Sequence, residues 1–172
     1  STFKNSIGTN FDYLIASEAG SAGNIVFNNS NSEGIIWNEG DVFRFVEGRP
    51  ENRSSSLNVS FNSSNFTGNF ADGDNGLWNV KGLKYKNSKD IESNLNGNYY
   101  GANSNFGITA KFLKNSNWSI TKDSYLGKLI LDSSSKITAP KGFKIEMTVN
   151  GVKTAIKEGT YEGKVILKLI KL

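Results

Sequence analysis

Acid–base and nucleophilic chemistry near neutral pH leans on histidine and cysteine, and this chain contains neither. Their absence removes Ser-His-Asp and Cys-His devices, together with the usual zinc, copper and haem ligands. A general base would have to be a displaced carboxylate or lysine. Glu39 and Asp41 lie two residues apart and could share a strand face in the manner of a glycosidase pair. On the shoulder of a hairpin, however, such acids are solvated turn residues. The run Asp72-Gly73-Asp74-Asn75-Gly76 has the flavour of a calcium loop, but its fifth position is glycine and no bidentate glutamate follows. The glycines sit in hairpins and not between a strand and a helix, so no phosphate-binding fingerprint exists. The expectation is a protein that is not an enzyme, with no catalytic residues, no metal and no cofactor.

What remains is aromatic and apolar recognition. Trp37, Trp78, Trp118, Tyr99 and Tyr100 are candidates for stacking on a sugar or meeting a protein. Aromatics dominate the energetics of β cores, so most of this set is expected to be internal. Trp78, Tyr99 and Tyr100 are kept as possible ligand contacts. Tyr99 and Tyr100 are consecutive, so on a strand one of them faces outward.

The formal charge of +4 comes from lysines scattered along strands and turns. Lys81, Lys84, Lys86 and Lys89 form one local excess, and Lys164, Lys168 and Lys171 another. Lysines spread in this way solvate strand faces and discourage edge-to-edge aggregation. A nucleic-acid footprint would need a denser stripe with interleaved aromatics, so nucleic acid is not expected as a partner. No stretch approaches the roughly 18–20 apolar residues of a bilayer span. The opening Ser-Thr-Phe has neither initiator Met nor apolar signal core. It reads as the product of signal cleavage or as a start within a longer protein.

The elements that would position these residues are strands. Apolar and polar residues alternate from end to end, the pattern of strands with one buried face. Leu57, Val59 and Phe61 alternate with Asn58 and Ser60, and Ile108, Ala110 and Phe112 with Thr109 and Lys111. The cleanest run sets Phe143, Ile145, Met147 and Val149 against Lys144, Glu146 and Thr148. Turn clusters separate the runs, among them Glu39-Gly40-Asp41, Gly73-Asp74-Asn75-Gly76 and Asn150-Gly151. Asn150-Gly151 predicts a two-residue hairpin after the Phe143–Val149 strand. Ser88–Asn94 is the one short helical candidate. No linker, Pro-rich hinge or fixed-period repeat interrupts the chain, so residues 1–172 are expected to form a single all-β domain. Short, closely spaced strands point to an antiparallel sandwich or, alternatively, a small antiparallel barrel.

The last segment, Glu158 to Leu169, sharpens this picture. Tyr161, Gly163, Val165, Leu167 and Leu169 line one face, while Glu162, Lys164 and Lys168 share the other with Ile166 and Ile170. Such a strand sits centrally in a sheet or meets a second partner. From about Ile137 to Leu172 the chain resembles the C-termini of bacterial chaperone–usher fimbrial subunits and adhesins, which often close with Gly-x-Tyr-x-Gly/Ala-x-Val-x-Leu. The resemblance implies an immunoglobulin-like sandwich lacking one strand, completed by a segment of a neighbouring subunit through β-augmentation. Tyr161, Gly163, Val165, Leu167 and Leu169 would then line the core or acceptor groove. Phe3, Ile7, Phe11, Tyr13 and Ile15 share odd parity, interrupted by Asn5 and Thr9. Residues 1–16 are therefore either a donor strand or the domain's own first strand.

A second stretch, Leu57 to Phe70 with Gly97-Asn98-Tyr99-Tyr100-Gly101-Ala102-Asn103, resembles the barrel hairpins of transferrin-binding protein B-type surface lipoproteins. Both resemblances imply a secreted protein of the bacterial cell surface. Its partners would be neighbouring subunits, a host receptor or a glycan. Cell adhesion is the expected function; a host-protein-binding lipoprotein barrel and a carbohydrate-binding module are the alternatives.

Overall fold

Each apolar run buries alternate side chains, and the computed structural model shows what they are buried against. It describes residues 1–8, 13–17, 22–38, 42–46, 49–53, 55–72, 98–100 and 107–172, with backbone alone for 8, 42–46, 49–53, 72 and 98–100. The Glu39–Asp41 pair, the 73–76 turn, the Ser88–Asn94 segment and Trp78 lie outside the described residues. Among the described residues the protein is all-β, with no helix.

The chain winds in stacked coils. The first coil comprises β1 (Thr2–Lys4), β2 (Ile7–Gly8) and β3 (Tyr13–Ser17), and the second β4 (Ala22–Asn28) and β5 (Asn31–Asn38). After β6 (Val42–Val46) and β7 (Arg49–Arg53) comes a third coil of β8 (Ser56–Asn62) and β9 (Asn65–Asp72). β10 (Asn98–Tyr100) precedes a fourth coil, β11 (Ile108–Leu113) with β12 (Asn117–Ile120). The fifth is β13 (Ser124–Leu131) with β14 (Lys136–Thr138). The chain ends in β15 (Phe143–Val149), β16 (Val152–Thr154) and β17 (Gly159–Lys171).

One wall of the coil stack is the run β1-β4-β8-β11-β13, all parallel, and the facing wall is β2-β5-β9-β12-β14, also parallel, with β3 beside β5. Phe3 pairs with Phe27, Phe27 with Phe61, Phe61 with Phe112 and Phe112 with Leu131. The architecture is a β-solenoid, in which each coil contacts chiefly its neighbours.

This differs from the antiparallel immunoglobulin-like sandwich or barrel that the sequence suggests. The sheet of β2, β5, β9, β12 and β14 is parallel throughout, and the larger sheet is mixed. The reason is physical. Alternation reports that one face is buried, and says nothing about the direction of the partner strand. Parallel sheets covered by helices read as continuous apolar runs, but a solenoid wall keeps one face in water and so alternates like an antiparallel sheet. Antiparallel pairing does occur at the end of the chain, where β17 pairs with both β13 and β15, and β15 with β16. There the Asn150-Gly151 hairpin forms as expected, with positive φ at both residues (50° and 81°) and Val149 opposite Val152.

Between the walls lies the core. Phe61, Phe66, Phe70, Phe112, Trp118, Leu126, Leu129, Val165 and Leu167 are all fully buried. In-register stacking puts identical residues at the spacing of neighbouring strands, about 4.8 Å. The rings of Phe3, Phe27, Phe61 and Phe112 accordingly form one column, with centroids 5.0, 4.9 and 4.8 Å apart and planes within 13°. Each such stack adds about 0.5–1.5 kcal/mol beyond burial.

Candidate interaction site

The turn between the two walls follows one pattern, running from an apolar residue to a serine three positions later in the first three coils and four positions later in the last two. It reads Phe3-Lys4-Asn5-Ser6, Phe27-Asn28-Asn29-Ser30, Phe61-Asn62-Ser63-Ser64, Phe112-Leu113-Lys114-Asn115-Ser116 and Leu131-Asp132-Ser133-Ser134-Ser135. Asn5, Asn29, Ser63, Lys114 and Asn115 take positive φ, which turns the chain from one wall to the other. The serines form a ladder. The N–H of Ser6 donates to the Ser30 hydroxyl (3.2 Å), Ser30 to Ser64 (3.1 Å), Ser64 to Ser116 (3.1 Å) and Ser116 to Ser135 (3.0 Å). Beside it the side-chain amide of Asn65 donates to Asn31 and that of Asn117 to Asn65. This side of the solenoid is uniform and tight.

The opposite side is not. There the chain passes from the second wall back to the first, and the length of the connection varies widely. From β12 to β13 it is only Thr121-Lys122-Asp123, whereas residues 39–55 separate β5 from β8 and residues 73–107 separate β9 from β11. These two long insertions meet: β10 of the later one pairs antiparallel with β6 of the earlier, and β6 with β7. The result is a three-stranded sheet in the order β10-β6-β7. Tyr99 lies opposite Phe43 and Tyr100 opposite Val42.

The insertions spring from a shared stem. Buried Asn38, the last residue of β5, donates its side-chain amide to the carbonyl of Ser55 at 3.3 Å, so the ends of the 39–54 segment are held together. Asp72, the last residue of β9, is the register partner of Asn38. Gly107 closes the second insertion at φ 66°, and its carbonyl accepts from the Leu57 N–H at 2.8 Å. A Cβ on Gly107 would come within 2.4 Å of the Asn38 Nδ2 and 2.5 Å of the Ser55 oxygen. Sequence reasoning did not find Asn38, Ser55 or Gly107 as a unit, because they are brought together only by the stacking of coils.

Of the aromatic candidates, Tyr99 and Tyr100 fall on this insertion sheet, Trp78 belongs to the same 73–107 insertion, and Trp37 and Trp118 are core residues. The C-terminal residues lie elsewhere. Val165 and Leu167 are fully buried, and Tyr161 and Leu169 pack partly buried against the same core. The Tyr161 hydroxyl donates to the Lys157 carbonyl at 2.8 Å and accepts from the Lys157 N–H at 3.2 Å. Gly163 sits at φ 105° beside an irregularity in the pairing with β13, where the Asn150 side chain fills the space a Cβ would take. β17 therefore has a strand on each side, and no groove runs along Tyr161–Leu169 among the described residues. Residues 1–8 and 13–17 belong to the protein's own first coil.

A cleft of about 410 Å³ lies near the end of the solenoid, between the segment from the last turn through β14 and the connection from β16 to β17, lined by Leu131, Asp132, Ser135, Ile137, Ile156 and Glu158. One of its two acids, Asp132, is already engaged. Asp132 accepts from the Lys114 N–H (2.6 Å) and from the Ser134 N–H and hydroxyl (3.1 and 2.9 Å). Burial pushes the Asp132 pKa up, but these hydrogen bonds and one from Ser135 outweigh it and hold the carboxyl below the ordinary aspartate value.

Among the described residues no helix is long and apolar enough to cross a membrane. Comparison with protein-family models, curated proteins and solved structures gives no match for this chain.

Proposed function

We propose that the protein is a non-catalytic binding module of the bacterial-surface adhesion class, secreted and acting alongside neighbouring subunits. In this proposal the solenoid is the scaffold and the β10-β6-β7 sheet is the part that meets a host receptor or glycan. One observation carries it: two long insertions leave the same side of the coil stack and pair with each other. The chain makes the same coil-to-coil step in three residues between β12 and β13, so length here is not needed for folding. Insertions in repeat proteins gather on one face, which is often the binding face, and loops on rigid scaffolds commonly carry function. Tyr99 and Tyr100 are consecutive on β10, so in this proposal one of the two faces outward and meets the sugar ring or apolar protein patch.

The test is to replace residues 73–106 with a short Gly-Ser linker and, separately, to make Tyr99→Ala with Tyr100→Ala. Parent and variants are compared on a glycan array and on cultured host cells. Binding by the parent that both variants lose, with thermal unfolding close to the parent's, supports the proposal. Equal binding by the linker variant, or no binding by the parent on either platform, rejects it.

A further inference from the structure

We infer that the first coil, Thr2–Gly8, whose outer side pairs with no strand among the described residues, is a docking edge for one further parallel β-coil of polypeptide. Its occupant carries an aromatic residue, a serine three positions later, and an apolar residue immediately after that serine. The inference stands apart from the insertion sheet, which leaves the opposite side of the stack.

The edge exposes large apolar side chains beside a single charged one, Lys4. Phe3, Ile7 and Tyr13 are 41, 78 and 43 % exposed, and all three belong to this first coil. Phe3 heads the aromatic column, with Phe27 against one face of its ring and no ring against the other among the described residues. Natural sheets protect such edges with charge, proline or a covering element.

The contact between successive coils recurs through the stack, and the edge continues it. Inside the solenoid each ladder hydroxyl accepts the N–H of the serine one coil earlier, and in the four-residue turns of Ser30 and Ser64 it also donates to the carbonyl two residues back in its own coil. Ser30 donates in this way to Asn28 (2.9 Å) and Ser64 to Asn62 (2.8 Å). The Ser6 hydroxyl is held identically, donating to the Lys4 carbonyl at 3.2 Å, so its lone pairs are set for an N–H from an earlier coil. The other contacts repeat as well. The N–H groups of Asn5 and Asn29 donate to the carbonyls of Asn28 and Asn62 (both 3.0 Å), and those of Asn31 and Asn65 to the carbonyls of Ser6 and Ser30 (both 2.9 Å). By the same register the edge offers the Lys4 carbonyl as acceptor and the Ile7 N–H as donor. Ile7 stands where the later coils carry Asn31, Asn65 and Asn117, so the asparagine ladder ends there and the facing residue must be apolar.

The ladder has a direction, and direction selects the occupant. A second copy docked head to head would set two Ser6 hydroxyls against each other, both with their hydrogens committed to Lys4, and both Ser6 N–H groups already donate inward. A second copy docked head to tail meets, beyond β13, the antiparallel strands β17, β15 and β16 in place of a parallel coil edge. A separate parallel coil satisfies every group.

The probe is a fluorescein-labelled synthetic peptide with the sequence of Ala22–Asn38 and the change Asn31→Ile, with the same residues in reverse order as control. Binding is read by polarisation, and protection of residues 2–8 by hydrogen exchange. The expected result is binding of the forward peptide with protection of the edge. The reversed peptide, and the Ile7→Lys and Phe3→Ala proteins, are each expected to bind about tenfold more weakly or worse, the effect of one lost stack or contact. Ile7 is largely exposed, so Ile7→Lys leaves the fold intact and decides the matter if Phe3→Ala unfolds. No binding of the forward peptide, or equal binding of the reversed one, overturns the inference. So does a concentration-dependent dimer whose formation protects residues 2–8, since a second copy is then the occupant.

Discussion

The backbone N–H of Ser64 donates to the hydroxyl of Ser116 at 3.1 Å, across 52 residues of sequence. Both serines are buried, and the Ser64 hydroxyl in turn accepts from the Ser30 N–H at 3.1 Å while donating to Asn62. Ser64→Ala therefore strands a buried N–H on Ser30, a loss of about 1–3 kcal/mol. Ser6→Ala removes only a hydroxyl at the open end of the ladder, which no N–H of the described residues uses. Urea unfolding should show a clearly lower midpoint for Ser64→Ala and a nearly unchanged one for Ser6→Ala, both with the parent's slope. Equal midpoints for the two variants would mean the ladder contributes nothing to stability.

The same ladder explains what the sequence reveals and what it hides. Strands were legible wherever one face is buried, as at Leu57-Asn58-Val59-Ser60-Phe61, because alternation is a local consequence of burial. The Asn150-Gly151 hairpin was legible because positive φ at two adjacent residues is a local demand. The pairing partners were not. Successive ladder serines lie 24, 34, 52 and 19 residues apart, so the coil repeat has no fixed period to detect. Its signal was present all the same, as Phe-x-x-Ser-Asn at Phe27–Asn31 and Phe61–Asn65, with one inserted residue at Phe112–Asn117. The stem of Asn38, Ser55 and Gly107 carried no sequence signal at all.

The aromatic column distributes stability unevenly. Phe61 is fully buried, with Phe27 and Phe112 stacked on either side at 4.9 and 4.8 Å and Phe66 at 5.2 Å. Phe61→Ala leaves a cavity in the middle of the column and is expected to cost about 3–5 kcal/mol. Phe3 lies at the end of the column and is 41 % exposed, so Phe3→Ala should cost distinctly less. Thermal unfolding of the two variants checks the order, and a larger loss at Phe3 would contradict a central load on Phe61.

Gly107 should tolerate no side chain. Its φ of 66° disfavours L-residues, and a Cβ would meet the Asn38 amide at 2.4 Å and the Ser55 oxygen at 2.5 Å. Both neighbours are held by their mutual hydrogen bond, so neither yields without breaking it. Gly107→Ala is expected to lower stability by more than the roughly 1 kcal/mol typical of a point substitution. Gly151→Ala is the internal comparison, since it also has positive φ (81°) but nothing within 4 Å of its Cβ. Similar losses at the two sites, in chemical denaturation, would assign the effect to φ alone and not to the stem.

Asp132 makes stability depend on pH in a stated direction. Burial disfavours its charged form, yet the Lys114 N–H, the Ser135 and Ser134 hydroxyls and the Ser134 N–H more than compensate, so the folded-state pKa lies below the ordinary value of 3.8. A depressed carboxyl stabilises the fold fully above the unfolded-state pKa, and that contribution disappears as pH falls through the folded-state pKa. The loss should thus begin near pH 3.8 and continue below it. Asp132→Asn removes the titrating group, so its stability at neutral pH is lower and its acid limb flatter than the parent's. Urea midpoints from neutral to strongly acidic pH measure both, and the two profiles should converge at the acid end. Profiles that stay parallel across that range would show that the turn at Lys114, Ser134 and Ser135 does not depend on the Asp132 charge.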